Sequence, residues 1–404
     1  MQVLPQLVGD LDAVLERRLA AGAGAIAGHG DGAVVLGRPA GAECIEIARD
    51  PRRQFRGAVG LDDDEHVALV RLVLCIKGAA HVGCKRRSGQ GGHKQFEGEA
   101  EGITTDEVIA LARVSARFGG RYVSHIRNEG LTLMPALQEV IDIGRASGVP
   151  VQVSHLKIGV KKLWGTSDKV LTLLNDARAS GVDITADLYP YTYWQSTMRV
   201  LFPKPVYDDR EGLALMLKES TPPEGLYFSR FQPDPSIVGK SLAELAKERN
   251  AAPVDVYLGL MKQVDDYQKA HPNERRIESV IGTSMREDDV IRLMTWEHTN
   301  ICSDGMSGTH PRGYGAFPRV LGHYVREKKV MSLEEAVYKM TGLAAKHLGI
   351  ADRGTIAEGN KADLVLFDPT TVIDRATMQN PTALSAGIEK VWVNGKLVYQ
   401  DRRT

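Results

Sequence analysis

Two histidines thirty residues apart close the same kind of string: a helical stretch, a Gly-containing turn, a short apolar strand, then Ser-His. The first ends Gly119-Gly120-Arg121-Tyr122-Val123-Ser124-His125, the second Gly148-Val149-Pro150-Val151-Gln152-Val153-Ser154-His155. Neutral imidazoles are zinc ligands, and zinc both lowers the pKa of a bound water and polarises a carbonyl oxygen. A histidine at a strand end is also at home as an ordinary hydrogen-bonding residue. The repeated ending favours His125 and His155 as a metal pair. Asp304, in Ser303-Asp304-Gly305, could carry a proton from water to a leaving nitrogen, though Asp before Gly also makes Asx turns. Lys157, two residues after His155, and Arg312, in His310-Pro311-Arg312, could hold a carboxylate, the arginine in bidentate fashion; either could instead be a solvated charge. Tyr189, Tyr191, Tyr193 and Trp194 could wall a pocket or simply pack. His29, in the turn-like Ala27-Gly28-His29-Gly30, and His310, before proline, are the weaker metal candidates.

These side chains need strands that deliver them to one place. From residue 102 onward helix and strand alternate. Thr104 and Glu107 have capping-box spacing, the positions that follow fit one apolar face, and Gly119-Gly120 can end the helix. A third unit repeats the rhythm through residues 167–179 and Val182 to Leu188, ending Tyr189-Pro190-Tyr191. The strands read as short apolar runs, which suits a parallel sheet covered on both faces, and the class is α/β. In a parallel barrel, residues closing successive strands converge on one face. A TIM-barrel-like arrangement is therefore expected over residues 102–348, with a proline-rich insertion near 198–281 that could act as a lid. Helices are expected near 11–19, 66–76 and 332–348. Residues 349–404 change to strand runs with an Asn394-Gly395 turn, read as a small β domain. Residues 1–101 are taken as a poorly matched segment packing on the barrel.

With 51 basic and 51 acidic side chains the chain is formally neutral, so nothing in its charge points to nucleic acid or a membrane surface. No apolar run approaches the roughly twenty residues of a membrane span. The four cysteines, Cys44, Cys75, Cys84 and Cys302, are irregularly spaced, and no cleavable leader is evident; a reducing cytoplasm is the expected setting.

Several strings together resemble the D-aminoacylase (N-acyl-D-amino-acid deacylase) family of the amidohydrolase superfamily: Ser124-His125-Ile126-Arg127-Asn128-Glu129-Gly130, Val153-Ser154-His155-Leu156-Lys157, Asp187-Leu188-Tyr189-Pro190-Tyr191-Thr192, Ser303-Asp304-Gly305, His310-Pro311-Arg312 and Gly354-Thr355-Ile356. They occur in the family's order over roughly residues 102–401. The resemblance implies a zinc-dependent barrel with a β-sandwich built from both chain ends, hydrolysing the amide of a small-molecule N-acyl-D-amino acid. It implies His125 and His155 as zinc ligands, Asp304 as acid/base, and Lys157, a tyrosine of Tyr189-Pro190-Tyr191, and Arg312 as substrate-binding groups. Two departures stand against it. The family's His-x-His pair on the first barrel strand and its cysteine ligand in an Asn-Cys-Gly setting are not found, Cys84 sitting in Val82-Gly83-Cys84-Lys85. The early strands and the N-terminal share of the sandwich are accordingly expected to be missing, and activity impaired. The alternatives are a non-catalytic barrel remnant and a cyclic-amide hydrolase of the same superfamily; a Lys157 and Arg312 carboxylate cradle argues against the latter. The oligomeric state is left open.

Overall fold

Strands covered on both faces must be apolar throughout, and Val151, Val153, Ile184, Ala186 and Ile301 are all buried. The structure is a computed structural model that describes residues 103–202, 206–305 and 309–400, together with the backbone of three short strands ahead of them. The strands are β1 (Ala33–Leu36), β2 (Ile45–Ala48), β3 (Val73–Lys77), β4 (Arg121–His125), β5 (Val151–Val153), β6 (Ile184–Leu188), β7 (Tyr193–Ser196), β8 (Leu226–Phe231), β9 (Glu278–Thr283), β10 (Thr299–Ile301), β11 (Leu364–Phe367), β12 (Ile388–Val393) and β13 (Lys396–Gln400). Five of them form one parallel sheet in the order β10-β6-β5-β4-β3.

The helix Thr105–Arg117 starts with a complete capping box between Thr104 and Glu107, as the spacing requires. It and the helices Leu133–Ser147 and Ser167–Ala179 bury Val108, Leu137, Ile141, Val170 and Leu174 in a single core with the sheet. Each such side chain contributes about 1.5–3 kcal/mol on burial. The sheet is therefore held from its helical side, which fixes the height at which β4, β5 and β6 end.

The described strands do not close into a barrel. β3 and β10 are the edges of an open sheet, because after β6 the chain leaves it and returns only at β10. Between them β7, β9 and β8 form an antiparallel sheet. That sheet has its own core, with Phe228, Leu242, Tyr257, Leu260 and Val280 fully buried, and it begins at Tyr193. The expected helix over 66–76 gives way to strand at Val73–Lys77, which pairs in parallel register with β4 from Val73↔Arg121 to Lys77↔His125. The C-terminal portion is a three-stranded antiparallel sheet, β11-β12-β13. Leu364, Val365, Leu366, Leu397 and Val398 on it are exposed, so among the described residues it is one layer and not a sandwich. The expectations at residues 11–19, at His29 and at Cys84 lie outside the described residues. No helix among the described residues is long and apolar enough to cross a membrane.

Candidate metal centre

Four strands of the parallel sheet present their C-terminal ends along one edge, the place where open α/β sheets bind ligands. His125 is the last residue of β4. His155 lies two residues past β5, its backbone N–H donating to Asp187 Oδ1 at 2.7 Å, while the other carboxylate oxygen of Asp187 accepts from Gln152 Nε2 at 2.7 Å. Parallel pairing runs on beyond the strands, from Leu156 N to Asp187 O and from Cys302 N to Leu188 O. Lys157, Tyr189 and Asp304 thereby reach the same edge. His155 and Asp304 both adopt left-handed backbone, φ 39° and 42°. That conformation is uncommon for residues with a side chain and concentrates at functional sites.

His125 Nδ1 faces His155 Nε2 at 2.9 Å. Both rings are nearly buried, with 12% and 14% of their side-chain surface exposed. Glu129 completes the group. Its Oε1 is 2.9 Å from His155 Nδ1, 3.7 Å from His125 Nδ1 and 2.5 Å from Lys157 Nζ. Glu129 lies four residues after His125, and nothing in the local sequence marks it for a role at the site. Its position comes from a loop: Asn128 Oδ1 accepts from the N–H groups of Gly130 and Thr132, and Glu129 O accepts from Gly159 N at 3.1 Å. A Cβ at Gly159 would lie 3.0 Å from that carbonyl, so glycine lets the two loops approach without either having to give way.

Burial pushes His125 down to about 4, against the pull of Glu129, which keeps the imidazole in its neutral, ligating form. Burial opposes ionisation of Glu129 too, but the positive groups around it hold its carboxyl well below the usual range. Lys157 is raised in turn: burial works against its charge, but Glu129, Tyr189 and Asp304 together outweigh burial. The chemistry of the donors fits zinc. His125 and His155 offer two facing ring nitrogens with the Glu129 carboxylate grouped within 4.8 Å of them, and neutral imidazoles are zinc ligands that a neighbouring carboxylate can orient. A cation bonded to both facing nitrogens at ~2.0–2.1 Å would see them about 90° apart.

Asp304 Oδ2 pairs with Arg312 NH1 at 2.8 Å. The Arg312 guanidinium lies 4.4 Å from the centre of the Tyr189 ring and its Nε makes no hydrogen bond among the described residues. The Tyr189 hydroxyl is buried and equally unpartnered, with Lys157 Nζ 5.7 Å from its ring, and burial pushes its pKa up to about 12. Lys157, Tyr189, Arg312 and Asp304 are therefore gathered around the two histidines, with free buried donors on Tyr189 and Arg312. Tyr191 is not part of this group: its hydroxyl donates to Asp374 Oδ2 at 3.3 Å, and its ring packs on Tyr193 and His310. Trp194 stacks over Gly282. Both ring nitrogens of the buried His310 are committed, Nδ1 accepting from Arg312 N and Nε2 donating to Tyr193 O, so it holds the loop before Arg312 in place. A cavity of about 390 Å³ opens beyond Tyr193, lined by Arg319, Asp374 and residues 375–379, and none of the cluster's candidate ligands lines it.

Comparison with known proteins gives a consistent picture. A family profile described as "Amidohydrolase family" matches residues 234–399. The chain is 37% identical over 310 residues to a D-aminoacylase of Alcaligenes xylosoxydans xylosoxydans, covering 76% of this chain and 57% of the relative. It is 38% identical over 298 residues to the N-acyl-D-glutamate deacylase of the same organism, covering 72% and 54%. Among solved structures, a D-aminoacylase superposes with a TM-score of 0.62 at 36% identity, over 74% of this chain and 57% of the other. The N-acyl-D-glutamate deacylase of Bordetella bronchiseptica, in complex with zinc and a phosphonate mimic of the tetrahedral intermediate, gives 0.63 at 33% identity over the same shares. The chain thus spans little more than half the length of the relatives it matches.

Proposed function

The chain belongs to the D-aminoacylase family of the amidohydrolase superfamily, and on that premise we propose that it hydrolyses the amide bond of N-acyl-D-amino acids at a divalent-metal site held by His125 and His155. One observation carries this reading. Two largely buried imidazoles face each other at 2.9 Å beside a carboxylate, at the ends of adjacent parallel strands, with an Asp-Arg pair past the end of β10 on the same side of the sheet. The preferred metal is zinc, which suits two neutral imidazoles.

When bound, such a cation supplies Lewis acidity toward the amide oxygen and acidifies a water. The remaining steps fall to the chain's own groups. Asp304, in carboxylate form beside Arg312, takes the proton as a water oxygen adds to the carbonyl carbon, and returns it to nitrogen as the carbon–nitrogen bond breaks. The products are a carboxylate and a D-amino acid. Arg312, through its free Nε, and Lys157 attract the substrate's own carboxylate, and the Tyr189 hydroxyl donates to an oxygen of the substrate. Burial keeps that phenol protonated at neutral pH. Holding the carboxylate at a fixed distance from the histidines selects amides bearing that group and presents the scissile bond to Asp304.

The test is release of D-alanine from N-acetyl-D-alanine by the zinc-supplemented full chain, with the L-enantiomer as control. Stereoselective release abolished by a chelator and restored by zinc supports the reading, at a rate below the roughly ten per second of a typical enzyme. Stoichiometric zinc with no release from any N-acyl-D-amino acid would leave a metal-binding, non-catalytic relative.

A further inference from the structure

We propose that Glu129 is a positioning residue that couples the cation site to the lysine beside it; the proposal rests on the reading that His125 and His155 share a metal. Glu129 Oε1, His155 Nδ1 and Lys157 Nζ form a triangle with edges of 2.5, 2.8 and 2.9 Å. Three hydrogen bonds cannot fill it. A proton on His155 Nδ1 lets that nitrogen donate to Glu129 but blocks donation from Lys157; without that proton Lys157 donates to Nδ1 and His155 carries its hydrogen on Nε2. Which ring nitrogen is protonated is set by the partner of the other.

The two arrangements differ at the far side of the ring. With hydrogen on Nε2, His155 donates to His125 Nδ1 across 2.9 Å and no lone pair is left for a cation. With hydrogen on Nδ1, His155 Nε2 presents its lone pair toward His125, and once His125 carries its own hydrogen on Nε2 both facing nitrogens are open to a cation. Glu129 accepts in both states, but only in the second does it hold His155 as a ligand, in the manner of the carboxylate–histidine–metal arrangement. Lys157 gives up its bond to His155 in that state and gains a free N–H for a substrate carboxylate. Cation loading and carboxylate binding therefore strengthen one another, as linkage requires. Nothing local in the sequence marks this role, since it arises only where the Glu129 loop meets Gly159.

Zinc affinity of the full chain, measured by competition with a chromogenic chelator, tests the proposal in three variants. E129Q is expected to weaken zinc roughly 10- to 100-fold, with the number of nitrogen and oxygen ligands seen by zinc X-ray absorption unchanged. K157M, which removes the competing donor and leaves the carboxylate, is expected to tighten zinc several-fold and gives an answer even where E129Q folds poorly. Unchanged affinity in E129Q, loss of one oxygen ligand from the zinc shell, or weaker binding in K157M would each overturn it. H155A separates the two claims: undiminished zinc binding in H155A defeats the metal-site reading itself, whereas loss in H155A with no change in E129Q defeats only the role of Glu129.

Discussion

Replacing Asp304 with Asn removes a proton carrier and a charge while keeping the shape. Asp304 Oδ2 meets Arg312 NH1 at 2.8 Å, the arginine side chain 4% exposed and the aspartate 30%. At an effective dielectric constant of about 20 the gross attraction is about 6 kcal/mol. Desolvation of the arginine and the partial exposure of the aspartate cancel much of it, and Asn still accepts one hydrogen bond, so the net loss is about 1–3 kcal/mol. The unfolding temperature should fall by a few degrees at most. Turnover should fall far more, by at least about a hundredfold, because no group is left to move the proton to nitrogen. The assay is kcat on an N-acetyl-D-amino acid alongside bound zinc and a thermal melt. Near-normal turnover with zinc retained would refute the assignment, and zinc lost in proportion to activity would make Asp304 a ligand instead of a proton carrier.

Other perturbations test other parts of the account. In the chelator-treated chain His125 titrates near 4 when folded and near 6.5 when unfolded, so the unfolded state binds more protons in between. Stability should fall as pH drops from about 6.5 toward 4, by about 1.4 kcal/mol per pH unit from His125, with the buried His347 acting in the same direction. Equilibrium denaturation across that range would show it, and a flat profile would contradict it. Glu278 has the opposite sign: burial raises its carboxyl from 4.5 to about 7, so its penalty grows as pH rises through that window. Glu278→Gln keeps an acceptor for Met198 N, now at 2.9 Å, and should stabilise the protein at pH 8 by up to about 3 kcal/mol while changing little near pH 4; equal melts of the two proteins at pH 8 would count against it. Gly322→Ala would set a Cβ 2.3 Å from Ile373 Cδ1 and 2.6 Å from Val372 O, and should cost about 1–3 kcal/mol in denaturant unfolding.

Where a feature depends on a few neighbouring residues, it was legible in the sequence. The Thr104 capping box and the apolar strands ending in Ser-His are of this kind, and the structure brings His125 and His155 within 2.9 Å of each other. Helix continuity was legible only in part: residues 332–348 break at Thr341, whose hydroxyl donates back to Val337 O and whose φ of −130° leaves the helical region. Features that depend on distant segments were hidden. Glu129 reaches the histidines only because its loop meets Gly159, and Tyr191 leaves the site because Asp374, far along the chain, takes its hydroxyl. The open sheet was hidden as well. Local periodicity shows that β4, β5 and β6 are parallel strands, but not that the chain then builds a separate antiparallel sheet before β10.

The central claim is a cation between two particular nitrogens, and diffraction at the zinc absorption edge from crystals grown with zinc tests it most directly. The account predicts an anomalous peak within about 2.0–2.1 Å of both His125 Nδ1 and His155 Nε2. A peak elsewhere, or none with the two nitrogens still hydrogen-bonded to each other, would contradict it.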